Sequence, residues 1–363
     1  MVLFTISVCC LLLALNYFNL AYLPYLQSNA SELSTNKSQP KPLLIRSSIP
    51  YWDQQNASRT FEENISLFNQ ISLFWYYLNS QGKITKYQYA KIDPSIIALA
   101  QKYKIKSFFT LTNLGEQEDE SWDSTRVEKV LASPTSRQNH IKDILNIFNS
   151  LPFDAVTIDY EAVSPSQRRN FTQFIYQLSE SLHQKNKLLA IAIHPISNRQ
   201  TEQRYYFQDI VEIAKAADIL SVMAYGEHDD ESQPGPIASI SWLNKITNYL
   251  HTKNLPLQKI FLGIPLYGYD WAVKSHRPAE GLTFQAVEQL AVKNEATLRW
   301  DNQSKSPYFT YSNRGQTHQV WYEDARSVNQ KMKLAQANGL GGVSFWRLGG
   351  EDPKVWQVVK HFK

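Results

Sequence analysis

From Leu43 to Trp346 one pattern recurs eight times: a short β-branched or aromatic run, separated from the next by segments with helical spacing. The runs are LLIRSSIPYW (43–52), ISLFWYYL (71–78), IKSFFTLT (105–112) and DAVTIDYE (154–161), followed by LLAIAIHP (188–195), DILSVMAY (218–225), KIFLGIPLYG (259–268) and GLGGVSFW (339–346). Between two of them, Ile141, Ile144, Leu145, Phe148 and Leu151 fall on one helical face. Phe171, Phe174, Ile175, Leu178 and Leu182 do the same further on. Ser164-Pro165 is a cap followed by a proline at the first helical position. Strands alternating with helices imply a parallel sheet. Eight such units in about 300 residues predict an α/β fold, a (β/α)8 TIM barrel, rather than an open sheet. No GxGxxG or GxxxxGK[ST] motif follows any run, so a nucleotide-binding open sheet loses its main support.

One connection is too long for a plain loop. Between the seventh and eighth runs, residues 269–338 hold a helical stretch (284–292) and three strand-like pieces at 298–301, 307–312 and 318–323. These predict a small α+β insertion on the barrel rim, completed by a helix over 324–338. The barrel with its insertion spans residues 43–363.

The N-terminal end differs. No residue from 2 to 25 is charged, and VLFTISVCCLLLAL is apolar. Residues 1–26 read as a signal peptide or a membrane anchor, and the polar stretch 27–42 as a linker. The protein is therefore expected to be secreted or held on the outer face of the membrane. Both cysteines, Cys9 and Cys10, lie in this segment. That excludes a disulfide framework and a cysteine nucleophile in the remainder. The net charge, 37 − 33 = +4, is too small to suggest nucleic acid. At 43% hydrophobic and 19% charged residues, the chain is neither a disordered tail nor a many-pass membrane protein. A monomer without cofactor or metal is expected.

The fourth run carries the chemistry. Side chains alternate along a strand, so Thr157, Asp159 and Glu161 share one face and Val156, Ile158 and Tyr160 the other. The apolar set should meet the helices. The polar set then climbs the barrel interior to its C-terminal mouth, where barrel enzymes hold their sites. Asp154 falls off this face and reads as a structural partner at the strand's start. Two stacked inward carboxylates repel unless one keeps a proton, which is what a general acid requires. Taken alone, such a pair also fits a rim salt bridge or a cation site.

The neighbouring motifs decide between these. DAVTIDYE resembles the DGxDxDxE signature of family 18 glycoside hydrolases, the chitinase-like barrels. MAY (223–225), GIPLYGYDW (263–271) and GGVSFW (341–346) resemble that family's segments on strands six, seven and eight, in order. SPYFTYSN…HQVWYEDARS (306–327) is similar to the insertion of the spore-cortex and peptidoglycan-hydrolase branch. The resemblance implies a glycosidase acting on β-linked N-acetylglucosamine polymers, peptidoglycan or chitin, by substrate-assisted retaining catalysis. It implies Glu161 as acid/base, Asp159 as the group orienting the acetamido N–H, and Tyr225 as its carbonyl's partner. Trp346 would form the apolar floor, and Tyr267, Met223, His228 and Glu227 would line the substrate. Three departures stand out: Ala155 for Gly, Thr157 for the middle Asp, and Gly226 where many members follow the Tyr with Asp. The last favours an alternative, a chitinase-like protein that binds glycan without cleaving it. His194 ends the fifth run and is a further candidate to line the pocket. Trp52, Trp75 and Tyr76 are candidates for sugar subsites or for packing.

Overall fold

The computed structural model describes residues 41–115, 121–275 and 277–363. The expected N-terminal segment, 1–26, and all but the last two residues of the linker, 27–42, lie outside them. Among the described residues, no helix is long and apolar enough to cross a membrane.

Fourteen strands are described: β1 (Leu44–Pro50), β2 (Gln70–Leu78), β3 (Ile84–Lys86), β4 (Lys106–Thr112), β5 (Ala155–Asp159), β6 (Leu188–Ile193) and β7 (Ile219–Val222), then β8 (Ile260–Pro265), β9 (Gly268–Ala272), β10 (Glu280–Leu282), β11 (Arg299–Asp301), β12 (Ser306–Asn313), β13 (Gln316–Tyr322) and β14 (Gly342–Trp346). Eight of them pair in parallel in the order β1-β14-β8-β7-β6-β5-β4-β2, and β1 also pairs with β2. The sheet therefore closes into a (β/α)8 barrel, with β3 as a short antiparallel appendage on β2. Each of the eight expected runs supplies one barrel strand.

The helices between strands bury the faces their spacing marks. Along Arg168–His183, Phe171, Phe174, Ile175, Leu178 and Leu182 are all buried. They pack with Val156 and Ile158 of β5 in one hydrophobic core. Burying side chains of this size contributes roughly 1.5–3 kcal/mol each. Ser164 accepts a hydrogen bond from Ser166 N and starts a single 3-10 turn that leads into the helix. Asp154 acts as expected at the base of β5, where its carboxylate accepts from Ser107 N at 2.9 Å and pairs with Lys106.

The long connection forms an antiparallel sheet ordered β10-β9-β13-β12-β11. A helix, Phe284–Lys293, covers it through Val287 and Ala291, against Leu282, Phe309, Val320 and Tyr322. The helix Ala325–Ala337 corrects one expectation. It belongs to the barrel rather than the insertion, because Val328, Met332 and Ala335 sit in the barrel's core. Its link to the insertion is a buried ion pair: Lys331 Nζ lies 2.6 Å from the carboxylate of Glu323, just after β13.

Candidate active site

The ladder between β4 and β5 ends at the pair Thr112 and Asp159. Asp159 is thus the last residue of β5, and Glu161 lies two residues beyond it at the barrel's C-terminal end. Below them on the same face, Thr157 Oγ1 accepts from the buried Arg46 at 2.5 Å. Arg46 also donates to Gln70 and lies 4.1 Å above the centre of the Phe108 ring. Burial lowers its pKa to about 9, so it remains a cation at neutral pH. Its charge acts on the Tyr225 hydroxyl above it. Nothing in the sequence reading assigned Arg46, although a lone charge inside an apolar strand run was its signal.

Asp159 Oδ1 is sealed from solvent and has no hydrogen-bond partner. Burial first, and the charge of Glu161 second, raise the Asp159 pKa well above the ordinary carboxylate range. A carboxyl with a raised pKa holds its proton to higher pH, and while protonated it can donate as well as accept. Glu161 is more open, with 22% of its side chain exposed.

Aromatic rings wall the mouth. Tyr225 and Trp346 lie nearly parallel, at 14° and 6.4 Å between centroids. Trp52 and Phe74 meet the Trp346 ring edge-on at 6.1 and 5.5 Å. Gly263 on β8 makes room for Tyr225, because a Cβ there would stand 2.7 Å from its ring. Burial, then the charges of Asp159 and Glu161, hold Tyr225 well above the usual phenol range. It therefore remains a neutral hydroxyl. Tyr267 packs behind it, its hydroxyl 3.5 Å from the Tyr225 carbonyl oxygen. Trp52, Tyr267, Tyr269, Trp346 and Arg347 line a cleft of about 290 Å³ between barrel and insertion sheet. Trp52 is 49% exposed and free to offer a ring face, whereas Trp75 and Tyr76 are buried packing residues.

The structure thus gathers Asp159, Glu161, Tyr225, Tyr267 and Trp346 at one end of the barrel. Among the other expected residues, Glu227 and His228 are bonded within their own segment. The Glu227 carboxylate accepts from Ser239 N at 2.6 Å, at the start of the helix Ile240–Thr252. His228 Nδ1 contacts the Gln233 carbonyl oxygen at 2.9 Å, and its ring covers Gly235. Met223 is half-buried, and its N–H donates to Ile193 O at 2.9 Å. Glu227 and His228 thereby help to hold the 223–239 segment in shape. Two residues close to Glu161 complete the site. His194 Nε2 lies 3.2 Å from Glu161 Oε2. Asn113 bonds the Glu161 backbone through both ends of its amide. Asn113 gave no signal beyond its place one residue after a strand.

A closed parallel barrel with an acid pair at one strand's end and stacked rings around it is the architecture of a sugar-polymer hydrolase. Residues 47–351 match the Glycosyl hydrolases family 18, and the chain belongs to that family; it is a glycoside hydrolase. Its relatives include YdhD of Bacillus subtilis (strain 168), whose name describes a sporulation-specific glycosylase. That protein is 30% identical over 299 residues, 81% of this chain and 69% of that one. The Cortical fragment-lytic enzyme of Bacillus anthracis is 28% identical over 253 residues, 69% of this chain and 58% of that one. Among solved structures, a chitinase from Chromobacterium violaceum ATCC 12472 superposes with a TM-score of 0.79 at 28% identity. It covers 88% of this chain and 98% of that one.

Proposed function

We propose that the protein hydrolyses β-linked N-acetylglucosamine polymers, peptidoglycan or chitin, by substrate-assisted retaining catalysis. The observation that carries the reading is Asp159 Oδ1, a buried, unpartnered carboxyl atom on the face that leads to Glu161. Such an atom suits a ligand N–H, and the sugar's acetamido group offers one. In this reading Glu161 gives its proton to the leaving glycosidic oxygen while the acetamido oxygen attacks the anomeric carbon. Water then opens the resulting oxazolinium and returns a proton to Glu161. Asp159 orients the acetamido N–H, and the neutral Tyr225 hydroxyl donates to its carbonyl oxygen. Trp346 gives the sugar an apolar floor. The names of the relatives support a cell-wall or chitin substrate. Residues 1–26 would export the protein or anchor it on the outer face of the membrane, which fractionation of producing cells would test.

Incubation with purified peptidoglycan and with chitin oligomers, with products read by mass, tests the reading. Cleavage of either supports it. Glu161→Gln should lower turnover by about 10²–10⁴-fold while glycan binding and fold persist. Unchanged turnover in that variant removes Glu161 from its role. Gly226 favours a second reading, a glycan-binding protein without catalysis. Binding with no product from any N-acetylated glycan would establish it.

A further inference from the structure

His194 touches Glu161 through a geometry that leaves little freedom. Gln208 is buried, and its amide orientation is set by two backbone groups. Its Nε2 donates to Ala192 O at 2.9 Å, and its Oε1 accepts from His194 N at 2.9 Å. A flipped amide would set oxygen against oxygen at Ala192 and N–H against N–H at His194. The same Oε1 lies 3.1 Å from His194 Nδ1. A carbonyl oxygen only accepts, so Nδ1 must carry a hydrogen. In the neutral imidazole Nε2 is then an acceptor, and it faces Glu161 Oε2 at 3.2 Å. With no proton at that contact, two lone pairs would oppose each other. With one proton the contact becomes attractive, as a carboxyl against a neutral imidazole or as an imidazolium beside a carboxylate at ion-pair distance.

We propose that His194 is a positioning residue for Glu161: the two side chains share one proton, and Gln208 fixes the imidazole that receives it. The inference rests on the acid/base role proposed above for Glu161. His194 is held for this task from its other side as well. Tyr205 stacks on its ring at 4.0 Å and 22°, and Phe207 meets it edge-on at 5.8 Å. Asp159, Tyr225 and Tyr205 all feel the charge of Glu161, Arg204 and Asp229 act on Tyr205, and Arg46 acts on Tyr225 from below. Thr157, beneath Asp159, carries a hydroxyl that accepts from Arg46 and adds no third carboxylate.

The shared proton serves both half-reactions. As the bond from the anomeric carbon to the leaving oxygen breaks, its electron pair stays on that oxygen and the proton passes there from Glu161. The carboxylate left behind and the neutral His194 form the base. When the oxygen of water bonds to the anomeric carbon, the proton lost by water returns to the pair. No oxidant or further reactant is needed.

Two measurements on the full chain test this. The first reads the His194 ring nitrogens by ¹⁵N NMR in the wild type and in Glu161→Gln, and needs no turnover. Hydrogen on Nδ1, with an Nε2 signal that moves in the variant, is expected. Hydrogen on Nε2 with a bare Nδ1, or an Nε2 signal indifferent to the variant, overturns the proposal. The second compares kcat and KM of the wild type, His194→Gln and Gln208→Leu. Both variants should lose about tenfold or more in kcat at little change in KM, as partners that orient a reacting group do. Normal kcat in a folded His194→Gln overturns the proposal. If Gln208→Leu alone folds, normal kcat in it does the same. A wild type that turns over no glycan removes the hydrolase reading instead, and the NMR result still decides the shared proton.

Discussion

Asn113 holds the main chain of Glu161 at both ends. Its Nδ2 donates to Glu161 O at 2.9 Å, and its Oδ1 accepts from Glu161 N at 2.8 Å. The side chain thereby continues the β4–β5 ladder past its last pair. The same Nδ2 donates to Asp123 O at 3.0 Å. Directly after Glu161 the chain turns sharply, with Ala162 at φ 55° in the left-handed region. A non-glycine residue there is costly unless its surroundings impose it.

Asn113→Ala should therefore act on catalysis as well as on stability. It leaves buried backbone groups unpaired, at about 1–3 kcal/mol each. It also releases the carboxylate's backbone, so kcat should fall about tenfold while glycan Kd barely changes. Comparing kcat, Kd and Tm checks this. A lower Tm with normal kcat would confine Asn113 to a structural role.

Asp159 makes stability depend on pH in a defined direction. Its native pKa is raised, by burial first and Glu161 second, so the native state holds a proton that the unfolded chain releases above about pH 4. Its stabilising contribution is complete below that pH and is lost as pH rises through the native value. Asp159→Asn removes the cost of charging the buried group. At pH 7 the variant should melt above the wild type, and the difference should shrink toward pH 4, although turnover falls steeply. Melting curves across that window test it, and a variant less stable at pH 7 than at pH 4, relative to the wild type, refutes it.

Trp346 is half-buried, and its ring touches Tyr225, Trp52 and Phe74. Trp346→Ala should weaken glycan binding by about 0.5–1.5 kcal/mol or more, as loss of a stacked ring does, and should lower kcat/KM. The remaining rings keep the mouth folded. Titration with a chitin oligomer at matched folded fraction measures it. Unchanged affinity would return Trp346 to packing alone.

The barrel was legible because period-two runs and period-3.6 segments alternate along the chain, and the strand alternation set Asp159 and Glu161 on one inward face. The insertion's helix and three of its strands were legible in the same way. The helix Ala325–Ala337 was misallotted because its apolar stripe says that it is buried, not against what. The supporting residues were beyond reach for a different reason. Asn113 meets Glu161 across 48 residues and Arg46 meets Thr157 across 111, and neither pairing leaves a local pattern. Gln208 meets His194 across only 14, yet the segment between them, with its short helix Arg199–Arg204, has no periodicity that would place one on the other.

Gly226 makes the sharpest test of the mechanism. It follows Tyr225, is exposed, and a Cβ built on it meets nothing within 4 Å. Its backbone is not among those in the left-handed region. An aspartate therefore fits at this position without strain or collision. In the proposed mechanism the acetamido group is the nucleophile, held by Asp159 and Tyr225 alone. Glu227 Oε2 and His228 Nδ1 are each bonded within their own segment. A loosely held nucleophile lowers the fraction of substrate poised to react. Gly226→Asp should accordingly raise kcat/KM several-fold on an N-acetylated oligomer and leave Tm unchanged. A thiazoline mimic of the oxazolinium should inhibit both proteins competitively, bind the variant more tightly, and exceed substrate affinity by about 10²-fold or more. A fully deacetylated polymer should be inert to both, because no side chain in the site is left to replace the acetamido oxygen. Brisk cleavage of that polymer, or a thiazoline without effect on an active enzyme, would show that the nucleophile is not the substrate's own.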